Sequence, residues 1–287
     1  MEDFATYILE EKELSGKMVI ANKLSKKVGI YFDKSIVLKA EIAKLFIEYM
    51  ELDVDENEVL TAMLLCNCKK VENAQKMGKL ETYAKEGAEY LSTLGFSKHF
   101  CKICEEVNRY SQSTPREKES DILEVVDQFT GLILNRVERD AFTTDEALVM
   151  LKERNLKYTD NRYLKLFEVF INELENITIK DVIEVPVIQK LVHLHNKEAN
   201  VMAYISVLST TYEDKISNAI MQNINKRTKE MLSTNIEENN QSEKSNVEKM
   251  KELVASESKK SNRALFSGDT AKKILNHQLK FKLEDEK

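Results

Sequence analysis

Glycine and proline are so scarce in this chain, 7 and 2 among 287 residues, that few positions are left for the tight turns a sheet protein depends on. Apolar residues recur instead at helical spacing. In the stretch that opens near Ser35, Ile36, Ala40, Ala43, Ile47 and Met50 form one row, and Leu38, Ile42, Leu45 and Tyr49 form a second beside it. Glu41, Lys44, Glu48 and Glu51 fill the opposite side. A stripe this wide belongs to a helix embedded in a bundle. The expected fold class is therefore all-α, and a hydrophobic content of 42% suffices for one sizeable core or two small ones.

Start and stop signals divide the chain further. A leading segment, 1–34, holds a short amphipathic stretch from Met18 to Val28. Ser35 is expected to cap the helix that follows, because its hydroxyl can accept from a free helix amide. Asp53 to Glu56 resembles a capping box and predicts a helix over 54–68. Further helices are expected over about 80–94, ending at Gly95, over about 97–112 and over about 121–135 behind Ser120. Two more follow, over about 144–153 behind a Thr143–Glu146 box and over about 160–175. Residues 35–176 thus read as one helical domain. Apolar rows through Val187, Leu191, Leu194, Val201, Ile205, Leu208, Ile216, Ile220 and Ile224 predict one or two long helices in an extension over 177–233. In the remainder, 234–287, Glu237 to Ser245 is nearly devoid of apolar residues and reads as linker or disorder. An amphipathic segment, Asp269 to Leu283, closes it and is a candidate docking element for a protein partner.

Charge and hydropathy exclude several classes. A net charge of −6 with no basic cluster longer than Lys259-Lys260 argues against a nucleic-acid surface, which needs grouped Lys and Arg to neutralise phosphates. No apolar run approaches the ~18 residues of a membrane span, and Met1-Glu2-Asp3 lacks the basic start of a signal peptide. The expected setting is cytoplasmic, and richness in Lys, Glu, Asn and Ile suggests an AT-rich bacterial genome.

One motif carries more specific information. Leu64-Leu65-Cys66-Asn67-Cys68-Lys69-Lys70 resembles the Leu-Leu-His-Asp-Ile-Gly-Lys of the HD superfamily of metal-dependent phosphohydrolases, and most closely its HD-GYP branch, with the metal-binding His-Asp pair replaced by Cys66 and Asn67. Tyr83-Ala84-Lys85-Glu86-Gly87-Ala88-Glu89-Tyr90-Leu91 is similar to the family's His-Pro-x-x-Gly-Ala-Glu-x-Leu, with Tyr83 at the ligand histidine. Val107-Asn108-Arg109-Tyr110-Ser111-Gln112 falls at Val-x-x-His-His-Glu, again without histidines. Asp121 to Leu132 resembles Arg-Ile-Leu-x-Val-Ala-Asp-x-Phe-Asp-Ala-Leu and keeps the ligand aspartate as Asp127. Arg136-Val137-Glu138-Arg139 and Thr143 to Leu148 follow at the family's Arg-Pro-Tyr-Arg and Ser-x-Glu-Glu-Ala-Leu. The resemblance spans roughly Ser35 to Glu173, and the loop that names the branch is missing, Ser113 to Ser120 standing in its place. Leu38 stands where the first family histidine would fall.

The resemblance implies an HD-like helical bundle whose metal centre has been lost. In active relatives two metals clamp the scissile phosphate and generate a hydroxide nucleophile. Leucine and tyrosine cannot replace those ligands, and asparagine binds hard cations weakly. No metal, cofactor or catalytic residue is expected. The four cysteines, Cys66, Cys68, Cys101 and Cys104, sit in helical sequence and read as buried or free thiols, with a zinc site or redox pairing as the alternatives. His193-Leu194-His195 lies outside the family region in helical sequence, and His99 and His277 are isolated.

Three functions stay open. The first is a non-catalytic pseudoenzyme, a module for protein interaction in bacterial signalling or regulation, from a family whose active members degrade cyclic di-GMP. A second is a sensor that binds a cyclic-dinucleotide-like ligand without cleaving it, in a remnant pocket of Asp127, Lys70, Asn67, Cys66, Tyr83, Asn108, Arg109, Tyr110, Arg136 and Arg139. The third is a phosphohydrolase with a non-standard site. Asp127, deprived of metal, needs another cation nearby, and Lys70, Arg136 and Arg139 are the expected partners.

Overall fold

Asp33, two residues before the expected cap, opens the central helix. In the computed structural model, which describes residues 4–70, 83–107, 116–158, 161–180 and 183–227, its Oδ1 accepts from the amides of Ser35 and Ile36 at 2.9 and 3.2 Å, and Ser35 lies one residue inside the helix. A carboxylate there satisfies two free amides and also complements the positive end of the helix dipole. The first three helices are α1 (Phe4–Glu10), α2 (Leu14–Val28), which closes on the left-handed Gly29, and α3 (Lys34–Tyr49).

Asp55, not Asp53, caps α4 (Glu56–Leu65), accepting from the Glu58 amide at 3.0 Å. A tight turn in which Val54 N donates to Leu52 O carries the chain past Asp53 before the helix begins. The helices α5 (Tyr83–Thr93) and α6 (Lys98–Glu106) form a pair around Gly95, whose φ of 94° needs a residue without a Cβ. Next comes α7 (Lys118–Ile133). It starts at Glu117 without a side-chain cap, and the Ser120 hydroxyl donates instead to Ile103 O in α6, 3.0 Å away. The Thr143–Glu146 box does form, with Thr143 N donating to Glu146 Oε2 at 2.9 Å, and it opens α8 (Thr144–Tyr158). Another helix, α9 (Leu164–Asn176), ends this run.

The extension carries two helical runs, 187–197 and 201–227, in keeping with the expectation, but it opens with a strand pair that was not expected. Thr178–Lys180 (β1) and Glu184–Pro186 (β2) pair antiparallel, Ile179 opposite Val185, before α10 (Val187–Lys197) and α11 (Val201–Val207). Pro186, with no amide proton, cannot sit inside a helix and so marks where α10 begins. Asn200 restarts the chain as a cap, its Oδ1 accepting from Ala203 N at 3.0 Å. A π-helical turn, Leu208–Tyr212, then leads into helical residues 213–227.

The described residues are all-α apart from that small strand pair. Contacts group Met1–Asn223 as one compact unit and Ile224–Lys287 as a second; Asp269 to Leu283 lies outside the described residues. Among the described residues no helix is long and apolar enough to cross a membrane.

Within the first unit α3 is the hub, packed against α4, α7, α9, α10 and α11. Its two apolar rows explain this, because a helix apolar over most of its circumference must be covered on most sides. Leu38 is fully buried in this packing. Phe46, from the same helix, meets Phe167 and Phe170 with ring centroids 5.0 and 5.1 Å apart, and Phe129 of α7 meets Phe167 at 5.3 Å. These rings lock α3, α7 and α9 together, each burial being worth about 1.5–3 kcal/mol.

Candidate functional site

Where α3, the turn after α4 and α7 meet, apolar packing gives way to a small charged centre around Asp127. The side chain of Asp127 is 16% exposed. Its Oδ1 accepts from Lys39 Nζ at 2.8 Å and from Asn67 Nδ2 at 2.9 Å, while Lys70 Nζ stands 3.8 Å from Oδ2. Lys39 reaches it from the inner face of α3, three residues after Ile36 and four before Ala43, with a side chain only 6% exposed. Asn67 and Lys70 come from the turn that ends α4. Tyr83, the first residue of α5, sets its ring 5.5 Å from the Lys70 ammonium.

The turn is held in place from the other side. Tyr31 N donates to Cys68 O at 3.0 Å, and the Tyr31 hydroxyl donates to the Asp33 carboxylate. Burial, and then the bond to Asp33, raises the Tyr31 phenol far above the ordinary tyrosine range. The cap of α3 and the turn after α4 are thus one connected structure.

Burial alone would favour a protonated Asp127. The charges of Lys39 and Lys70 and the hydrogen bonds from Lys39 and Asn67 outweigh it, and the carboxyl is held well below its usual range. For Lys39, too, burial opposes the charge, yet Asp127 keeps the ammonium above the ordinary lysine value. Lys70 benefits from the same carboxylate, but its own burial and the charge of Lys39 leave it below that value. Two lysines compete for one anion, and Lys39 has the closer contact.

The remaining sequence candidates divide clearly. Cys66 is fully buried, its thiol pushed up to about 12 by burial and then by Asp127, so it is protonated at neutral pH. The expected arginine partners of Asp127 point elsewhere. Arg136 folds over Gly131, filling the space a Cβ there would need (2.7 Å), and its Nε donates to the Gly131 carbonyl. Arg139 donates to the carbonyls of Leu132 and Asp140 at 3.0 and 2.8 Å, closing the C-terminus of α7. Free carbonyls at a helix end draw guanidinium groups strongly, which is the physical reason neither reaches Asp127. Asn108, Arg109 and Tyr110 lie outside the described residues.

Lys39 is the residue the sequence reading missed. The available signal was a single lysine inside an apolar row, a position where a charge survives only with a partner. A second buried network was missed as well. Arg116 pairs with Glu124 at 2.7 Å and stands 3.4 Å from Asp121, which Arg162 also engages at 2.7 Å. The network ties the approach to α9 onto α7, although burial still raises the Glu124 carboxyl above its ordinary value. His195, half-buried on α10, packs edge-on to Tyr204, and burial lowers its pKa.

These donors do not fit a binuclear metal centre. Asp127 is engaged by an ammonium, Asn67 turns an amide N–H toward it, Cys66 is a protonated thiol, and Leu38 offers no donor. The arrangement can hold a charge pair in a fixed register. In comparisons with known proteins, no family model, curated protein or solved structure matches the chain.

Proposed function

We propose that the protein is a non-catalytic, HD-like helical module that serves as an interaction component in signalling or regulation. The observation that carries this reading is the 2.8 Å contact between Lys39 Nζ and Asp127 Oδ1. An ammonium group stands where the resemblance would put a metal ion, and it neutralises the one ligand carboxylate that remains. A cation supplied by the chain itself needs no loading from outside and cannot polarise a water into hydroxide. What persists is the shape of the bundle and its surfaces.

The contact between Lys70 and Asp127, at 3.8 Å, favours a second reading. With Lys39 already bound to the carboxylate, Lys70 brings surplus positive charge next to the Tyr83 ring, a combination suited to an anionic, stackable ligand such as a nucleotide.

Turnover assays on the purified full chain test the first reading. No hydrolysis of cyclic di-GMP or of a generic phosphodiester is expected with Mn2+ or Fe2+, and turnover that disappears in Asp127→Ala overturns it. The second reading requires cyclic di-GMP to raise the melting temperature and Lys70→Gln to remove that shift.

A further inference from the structure

His99, isolated in sequence, is surrounded by carboxylates in the fold. It is the second residue of α6, and one ring nitrogen lies with a carboxylate oxygen of Glu117, just before α7, and one of Glu119, in its first turn. All three atoms fall within 4.8 Å of one another. Glu58, in the first turn of α4, adds a carboxylate oxygen 3.6 Å from His99 Nε2. We propose that His99, Glu117 and Glu119, with Glu58 beside them, form a binding site for a divalent first-row cation of the Zn2+ class.

Carboxylates at helix starts have an ordinary explanation, since they complement helix dipoles. That accounts for Glu117 and Glu58. It covers Glu119 in the first turn of α7 as well, but not an imidazole among them. Glu119 is only 5% exposed, and among the described residues it has no hydrogen bond or ion pair. The nearby ammonium of Lys102 is taken up by Glu117 and lies 3.8 Å from Glu106. The cluster thus sets one imidazole nitrogen among carboxylate oxygens. A divalent ion would supply a partner for Glu119.

Donor type and spacing define the cation. One imidazole nitrogen with carboxylate oxygens suits Zn2+ better than Mg2+ or Ca2+, which prefer oxygen alone. Ligand atoms on an ion at ~2.0–2.2 Å stand roughly 3–3.5 Å apart, so these three must close by about one ångström. His99 is half exposed and Glu117 partly so, which leaves their side chains room to turn inward. Glu117 can offer the oxygen that Lys102 does not hold. Because α6 and the start of α7 contribute the ligands and α4 brings Glu58 beside them, the ion would join neighbouring helix ends and act on stability.

Calorimetric titration of the chelator-treated full chain with Zn2+ tests this, with melting temperature as a second readout. One site is expected, together with a higher melting temperature. His99→Gln and Glu119→Gln should each weaken binding at least about tenfold, no less than the loss of a ligand's outer partner costs. The double variant His193→Gln/His195→Gln and alkylation of exposed thiols should leave the affinity unchanged. If Glu119→Gln does not fold, Glu117→Gln takes its place, and His99 is exposed enough for its variant to be read regardless. Absence of binding, wild-type affinity in His99→Gln, or binding that vanishes with the His193/His195 pair or the thiols overturns the proposal.

Discussion

Replacing Asp127 by asparagine keeps the shape of the central charge pair and removes its anion. Lys39, 6% exposed, would retain a carbonyl acceptor but lose its counter-charge, and Lys70 would face it with nothing between them. Breaking one side of a fully buried pair costs about 3–5 kcal/mol. Asp127 keeps 16% exposure, so the expected loss is lower, about 2–3 kcal/mol. Lys39→Met should cost less, about 1–2 kcal/mol, because Lys70 and Asn67 still serve the carboxylate. The double variant removes both charges, and its cost should fall short of the sum of the singles by at least about 1 kcal/mol. Urea unfolding, read at constant m-value, measures all three. The linkage has a definite sign. Asp127 titrates below its unfolded value, so its contribution is present above pH ~4 and disappears as pH falls through the lower folded value. The acid limb should be shallower in Asp127→Asn. Strict additivity, or single variants within about 0.5 kcal/mol of wild type, would refute the reasoning.

Lys17 gives the opposite dependence. It is buried and donates to Ile8 O at 2.6 Å and Thr61 Oγ1 at 3.0 Å, and burial, followed by the charge of Lys12, lowers its pKa to about 8. The unfolded chain then binds the proton more tightly, so stability should rise between pH 8 and 10.5, the interval between folded and ordinary values. Lys17→Met should flatten that rise, and an unchanged slope would contradict the assignment. Among the cysteines, Cys66 and Cys104 are buried with pKa values raised by burial, while Cys101 is partly exposed. Iodoacetamide on the native protein should label Cys101 first, as mass spectrometry would show, and prompt labelling of Cys66 would indicate a more open site.

Local and periodic features were legible in the sequence. The rows on α3 announced a buried helix, because a stripe that wide cannot face water, and the Thr143–Glu146 box and the stop at Gly95 were found because each depends on neighbours a few residues away. Even there, competition moved the caps. Asp33 outranked Ser35 with its full charge, and Ser120 was drawn away by Ile103 O of another helix. Asp127 could be recognised in sequence as a carboxylate needing a cation, since an unmatched buried charge is costly in any fold. Which cation meets it was decided by tertiary structure. Lys39 lies 88 positions earlier in the sequence, whereas the nearer arginines turned to carbonyls at the end of α7. The same holds for His99, alone on its own helix and placed among Glu58, Glu117 and Glu119 only because α4, α6 and α7 start close together. Patterns over a few residues are fixed by bond geometry and solvent, but the partner of a charge is set by packing between segments far apart in the chain.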